Sequence, residues 1–230
     1  MLNENRGSCL KCTHGWQNFN NLSEDELTKV NEFRCEAKFK AGETIFKQGA
    51  PCSNLVFLIS GFAKVYIDGL DGKRIILNFV QSGRMIMGPG LYVDGRHNYS
   101  VSAISDVEVC FVDSNIIKEM VRTNSKFAEG YITDIAKRSL TCHDRLLNLT
   151  QKKMHGRLAE GILFMSDTLF KKDKFDCIMT RQEIGEFTNM SKESVVRILN
   201  KFNSEGILNV NHTIIEILDK KKLQQIMMTG

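Results

Sequence analysis

The sequence predicts an α+β chain: an N-terminal β barrel or jelly roll, one long helix and a C-terminal winged helix-turn-helix. Three observations carry this reading. Short apolar runs punctuated by glycine fill the stretch from about Phe39 to Val112. A proline-free stretch with helical periodicity follows Asp113. Two short helical patterns joined by a polar turn, then two strand-like runs, come near the C-terminal end. The expected divisions are 1–113 for the N-terminal segment and barrel, 114–150 for the long dimerisation helix, and 151–230 for the winged domain.

The barrel strands are read from LVFLIS (55–60), FAKVYI (62–67), RIILNFV (74–80), RMIM (84–87), YSVSAI (99–104) and VEVCFV (107–112). Short β-rich segments at such spacing suit a closed barrel or a jelly roll. DGLDGK (68–73) is the clearest hairpin turn, because Asp and Gly tolerate positive φ.

After Asp113 the apolar residues fall three or four apart. Phe127, Tyr131, Ile135, Cys142, Leu146 and Leu149, with Arg138 between them, form a narrow stripe on a helix expected to exceed 25 residues. A long helix with one apolar seam needs a second helix, so the stripe is assigned to a homodimer interface. HGRLAEGILFMSDTLF (155–170) is a further helix, and KKDKFD (171–176) a loop.

In TRQEIGEF, Thr180 and Glu183 fit a capping box. Ser191 is a natural N-cap for the next helix. There Val195, Ile198, Leu199 and Phe202 occupy one buried face, leaving Lys192, Glu193, Val196, Arg197 and Asn200 on the other. GILNVNHTIIEIL (206–218) supplies two strands around Asn211 and His212. Cap, turn, helix and wing in this order give winged helix-turn-helix geometry.

Composition bounds the alternatives. The 230 residues are 42% hydrophobic and 25% charged, ordinary for a globular protein. A net charge of +4 is too small to argue a polyanion partner by itself, so the case rests on residue placement. No run of about 18 apolar residues suggests a membrane span. The first residues lack a secretory core, which points to the cytoplasm. There the seven cysteines are expected as thiols or metal ligands. No Ser/His/Asp set, phosphate loop or supported acid pair argues for an enzyme.

TRQEIGEF followed by MSKESVVRIL, together with SGFAKVYIDGLDGKRIILNFVQSGRMIMGPGLY (60–92), resembles the CRP/FNR family of bacterial transcription regulators over nearly the whole chain. The resemblance implies a cyclic-nucleotide-binding-like sensor barrel, a dimer helix, double-stranded DNA as partner, and contact with RNA polymerase. It implies that Glu193 and Arg197 meet base edges, with Lys192 and Val196 beside them. Lys192 stands where cyclic-AMP-responsive members carry arginine. A carboxylate accepts from cytosine N4 and a guanidinium donates to guanine O6 and N7, giving a TGA-like half-site core. The i, i+4 spacing also lets Glu193 orient Arg197. Thr180, Arg181, Gln182, Ser191 and Ser194 are backbone-contact candidates.

The effector pocket is expected around Met87, Gly88, Pro89, Gly90, Leu91, Tyr99 and Ser100. Cyclic AMP is disfavoured, because Pro89 replaces the family's ribose-binding glutamate and Tyr99-Ser100 its Arg-Ser pair. The family's oxygen-sensing branch binds a [4Fe–4S] cluster through N-terminal cysteines and one barrel cysteine. Cys9, Cys12 and Cys110 match it, but the third N-terminal cysteine is missing and His14 is the nearest substitute. Haem is another candidate, with His97, His143 or a methionine as axial ligand, although a lone loop histidine such as His97 is ordinarily solvated. The cofactor stays open. Two rivals are a thiol-redox enzyme using Cys9 and Cys12, and a DNA-architectural protein without an effector.

Overall fold

The computed structural model describes residues 9, 12, 16–86 and 89–230, the side chain of Pro89 excepted. His14, Met87 and Gly88 lie outside the described residues. The chain divides into two compact units, one from residues 1–68 and 79–140, the other from 69–78 and 141–230.

Eight strands make two antiparallel sheets. They are β1 (Arg34–Phe39), β2 (Thr44–Phe46), β3 (Asn54–Ser60), β4 (Phe62–Asp68), β5 (Arg74–Gln81), β6 (Arg84–Ile86), β7 (Ser100–Ala103) and β8 (Val107–Asp113). The orders β1-β8-β3-β6 and β2-β7-β4-β5 are the interleaved arrangement of a jelly roll. The expected six strands are present. β1 and β2 were not anticipated: Arg-Cys-Glu-Ala-Lys-Phe carries charge at alternate positions, which an edge strand tolerates because only β8 pairs with it. The 68–73 turn has Asp71 at φ 56° and Gly72 at φ 70°, as its chemistry demands.

A first helix, α1 (Glu24–Glu32), precedes the barrel, and residues 114–150 are two helices rather than one: α2 (Ser114–Thr123) and α3 (Ser125–Gln151). Asn124 is extended at φ −122°, and its Oδ1 accepts the Phe127 N–H at 3.0 Å, a cap that restarts the helix. Its Nδ2 donates to the Asn21 carbonyl at 2.9 Å and to the Glu26 carboxylate at 3.0 Å.

The expected α3 seam mixes two faces. Phe127 (0% exposed) and Tyr131 (3%) fill their own unit's core with Trp16, Phe57, Leu91 and Met120, so they are not free for a second copy. Arg138 is likewise turned inward, its Nη2 donating to the Met85 carbonyl at 2.6 Å. Asp134, on the same side, accepts from Trp16 Nε1 at 2.5 Å. The physical reason is spacing: positions 127, 131, 134 and 138 step by four, three and four along one side of a helix. A second apolar set on the other side of the helix, Ile132, Ile135, Leu140, Leu146 and Leu147, is exposed along with Cys142, and Leu149 is half-buried.

The second unit holds α4 (Met154–Phe164), a π turn at Met165–Phe170, β9 (Lys174–Asp176), α5 (Arg181–Thr188), α6 (Lys192–Ser204), β10 (Leu208–Asn211), β11 (Ile214–Ile217) and α7 (Lys220–Thr229). The KKDKFD stretch is not wholly loop. Its second half is β9, which joins the wing sheet as β10-β11-β9, because Phe175 pairs with Ile215 and buries its ring against Phe170. Leu223 of α7, read in no earlier pattern, is fully buried. No helix among the described residues is long and apolar enough to cross a membrane.

Candidate nucleic-acid interface

Local chemistry builds the helix pair as the sequence reading expects. Thr180 Oγ1 accepts the Glu183 N–H at 3.1 Å, and the Thr180 N–H donates to Glu183 Oε2 at 2.8 Å, closing the capping box of α5. The turn passes through Asn189 at φ 51°. At Gly185 a Cβ would meet the Met190 carbonyl at 2.6 Å, so only glycine admits the close turn. Ser191 Oγ then accepts the Ser194 N–H at 3.2 Å and starts α6.

Val195, Ile198, Leu199 and Phe202 of α6 are buried, which anchors the helix and turns its other face outward. That face carries a shallow depression of about 460 Å³ lined by Lys192, Glu193, Val196, Arg197 and Asn200. An α-helix presenting a charged and polar row without crowding from its neighbours is the shape that a major groove admits.

Two details depart from the expectation. Glu193 is not engaged with Arg197. Hydrogen bonds from its own backbone N–H and then from the Ser191 hydroxyl hold its carboxyl below the usual carboxylate range. The free N–H groups of a helix N-terminus outcompete an exposed guanidinium that must give up water and rotamer freedom. Arg181 is also partly committed, donating from Nη2 to the His212 carbonyl at 2.7 Å. That bond ties α5 to the wing tip, where His212 has φ 51°. Gln182 Nε2 reaches Glu186 Oε1 at 3.3 Å.

In the first unit, the described members of the expected effector pocket are largely occupied by packing. A Cβ at Gly90 would meet the Arg96 carbonyl at 1.7 Å, and Leu91 is buried in the core. Ser100 is buried, and its Oγ accepts the Gln48 N–H at 3.0 Å. Tyr99 is half-buried, with its ring 6.0 Å from that of Phe46. His97 is not solvated: it is buried and stacked on Phe46 at 3.9 Å, and burial lowers its imidazole pKa. The β2 strand that brings Phe46 there was invisible to the sequence reading.

Cys9 and Cys110 pack against the same core, and Cys12 is exposed. Asn31 Oδ1 accepts from both the Cys9 N–H (3.1 Å) and Arg34 Nε (3.0 Å), while Arg34 Nη1 lies 3.8 Å from Cys110 Sγ. Burial pushes the Cys110 thiol up to about 11 despite that guanidinium. Among the described residues no three His, Cys, Asp or Glu side chains gather as metal ligands. Cys9 neighbours both Cys12 and Cys110, and these three described thiols are one fewer than the four thiolates of a [4Fe–4S] cluster.

Residues 36–124 match the Cyclic nucleotide-binding domain and residues 156–226 the Crp-like helix-turn-helix domain. The chain belongs to the CRP/FNR family of transcription regulators. Among relatives of this family, Electron transport regulator A of Shewanella oneidensis is 26% identical over 207 residues, covering 88% of this chain and 82% of that protein. The cAMP-activated global transcriptional regulator CRP of Salmonella typhimurium is 24% identical over 184 residues, covering 78% and 88%. In fold, FixK2 from Bradyrhizobium japonicum superposes with a TM-score of 0.77 at 23% identity, covering 84% of this chain and 96% of that one. The CRP/FNR assignment makes the helix pair of the second unit a DNA-binding element.

Proposed function

We propose that this regulator works in the cytoplasm as a homodimer on a palindromic operator whose half-site has a TGA-like core. In this reading residues 1–113 sense a signal, 114–150 pair two copies, and 151–230 hold DNA. The supporting observation is the outward face of α6, where Lys192, Glu193, Val196 and Arg197 border one depression while the opposite face is buried.

Arg197 donates to guanine O6 and N7, and Glu193 accepts from cytosine N4. Val196 offers a methyl surface to thymine, and Lys192 a charge to guanine or phosphate. Thr180, Arg181, Gln182, Ser191 and Ser194 flank the groove at helix ends and contact phosphates. The exposed apolar side of α3 meets its twin, and two-fold symmetry then sets half-sites about one helical turn apart. Transcription activation adds a contact with RNA polymerase.

The barrel's signal is not cyclic AMP in this reading. Pro89 and Tyr99 supply no carboxylate for ribose and no cation for phosphate, and the Ser100 hydroxyl already accepts a backbone N–H. The test is competition binding of a TGA-containing palindrome against random duplex. The wild type should prefer the palindrome by at least about a thousandfold. Arg197→Ala should lose about 1–3 kcal/mol on the palindrome and little on random DNA. Equal loss on both removes the base-reading assignment.

A further inference from the structure

Asn200 lines the same depression as the four proposed base readers, one turn beyond Val196 and Arg197. Its position on the helix is more central than that of two of them. Seven residues from Glu193, it points only about 20° away from it around the axis, whereas Val196 is about 60° and Lys192 about 100° away. The buried residues Val195, Ile198, Leu199 and Phe202 occupy the opposite side. Asn200 therefore sits near the pole of the face that would enter a groove.

Its amide is also uncommitted. Asn200 is exposed, and among the described residues its side chain makes no hydrogen bond. The neighbouring Asn203 shows the contrast: its Oδ1 accepts the Val210 N–H at 2.9 Å and fastens the helix to the wing. An amide used for structure is committed to such a bond. One held out at the pole has both its donor and its acceptor available, the pair that adenine N7 and N6 require.

We propose that Asn200 is a further specificity residue that selects adenine outside the TGA-like core. Seven residues at 1.5 Å rise place it about 10 Å along α6 from Glu193, or roughly three base-pair steps of 3.4 Å. The adenine lies within that distance of the pair read by Glu193. This inference rests on the operator-reading proposal above and extends it by one base pair.

The experiment is a panel of duplexes carrying every single base-pair change across the half-site, titrated with the wild type, Asn200→Ala and Arg197→Ala. Asn200→Ala should keep discrimination within the core. It should lose about tenfold to a hundredfold of preference for adenine at one pair outside it, with random-duplex affinity unchanged within about twofold. A uniform loss on every duplex with a shallower salt dependence would make Asn200 a phosphate contact and overturn the proposal. An unchanged panel overturns it as well. If Arg197→Ala relaxes the core while Asn200→Ala does nothing, only this inference fails. If the wild type shows no preferred palindrome, the operator reading falls and takes Asn200 with it.

Discussion

The guanidinium of Arg145 lies 4.1 Å over the ring of Phe187, and its Nη2 donates to the Phe187 carbonyl at 2.5 Å. A residue of α3 thus satisfies a carbonyl in the last turn of α5, where the helix has no partner of its own. The bond is charge-assisted and largely out of water, so it outweighs an exposed ion pair. Arg145→Ala should lower the stability of the DNA-binding unit by about 1–3 kcal/mol, read from urea unfolding. Arg145→Lys should recover only part of it, because an ammonium lacks the planar stacking surface. Full recovery by lysine would show that charge alone matters.

Gly130 of α3 tests how closely the N-terminal segment is seated. A Cβ there would lie 1.9 Å from Asn18 Oδ1. Asn18 cannot swing away cheaply: it is buried, its Nδ2 donates to the Phe127 carbonyl at 2.8 Å, and its Oδ1 accepts from Asn21 at 2.7 Å. Alanine favours a helix interior by up to about 1 kcal/mol over glycine. Losing the buried bonds costs more, so Gly130→Ala should be net destabilising by about 1–2 kcal/mol. A raised melting temperature would contradict this seating.

The two faces of α3 should respond differently. Leu146→Glu places charge on an exposed apolar position, and the expected outcome is a folded monomer in sedimentation with weakened operator binding. Phe127→Ala removes a fully buried ring and should cost about 3–5 kcal/mol of stability. Should Leu146→Glu remain dimeric at low micromolar concentration, the exposed side of α3 is not the pairing surface.

The Cys110 thiol gives a pH signature. Burial raises its pKa from 9.0 to about 11, so the folded state keeps the proton over a range in which the unfolded chain has released it. Its contribution is complete below about 9 and declines as the pH climbs through about 11, the direction linkage requires when the native state binds more protons. Wild type should lose on the order of 2 kcal/mol more than Cys110→Ala across that window. Parallel stability curves for the two proteins would mean that the thiol is not buried as described.

Much of the molecule was legible from residue order. Positive-φ chemistry at Asp71-Gly72, the Thr180–Glu183 capping box, Ser191 as N-cap and the buried row of α6 all depend on interactions within a few residues, which periodicity and cap chemistry report directly. β1 was missed because its pairing partner, β8, lies about seventy residues away in sequence. The π turn and α7 carried no separate signal.

The amino-acid order by itself determined six of the barrel strands, the helix pair and the wing strands that follow it, and that α6 would turn Glu193, Arg197 and Asn200 to one side. Only the tertiary structure decided which side of α3 is covered. It also decided that Ser191 rather than Arg197 is the partner beside the Glu193 carboxylate and that Phe46 encloses His97. The reason is that short-range spacing determines where a side chain points on its own element, whereas what covers that side chain depends on segments far away along the chain.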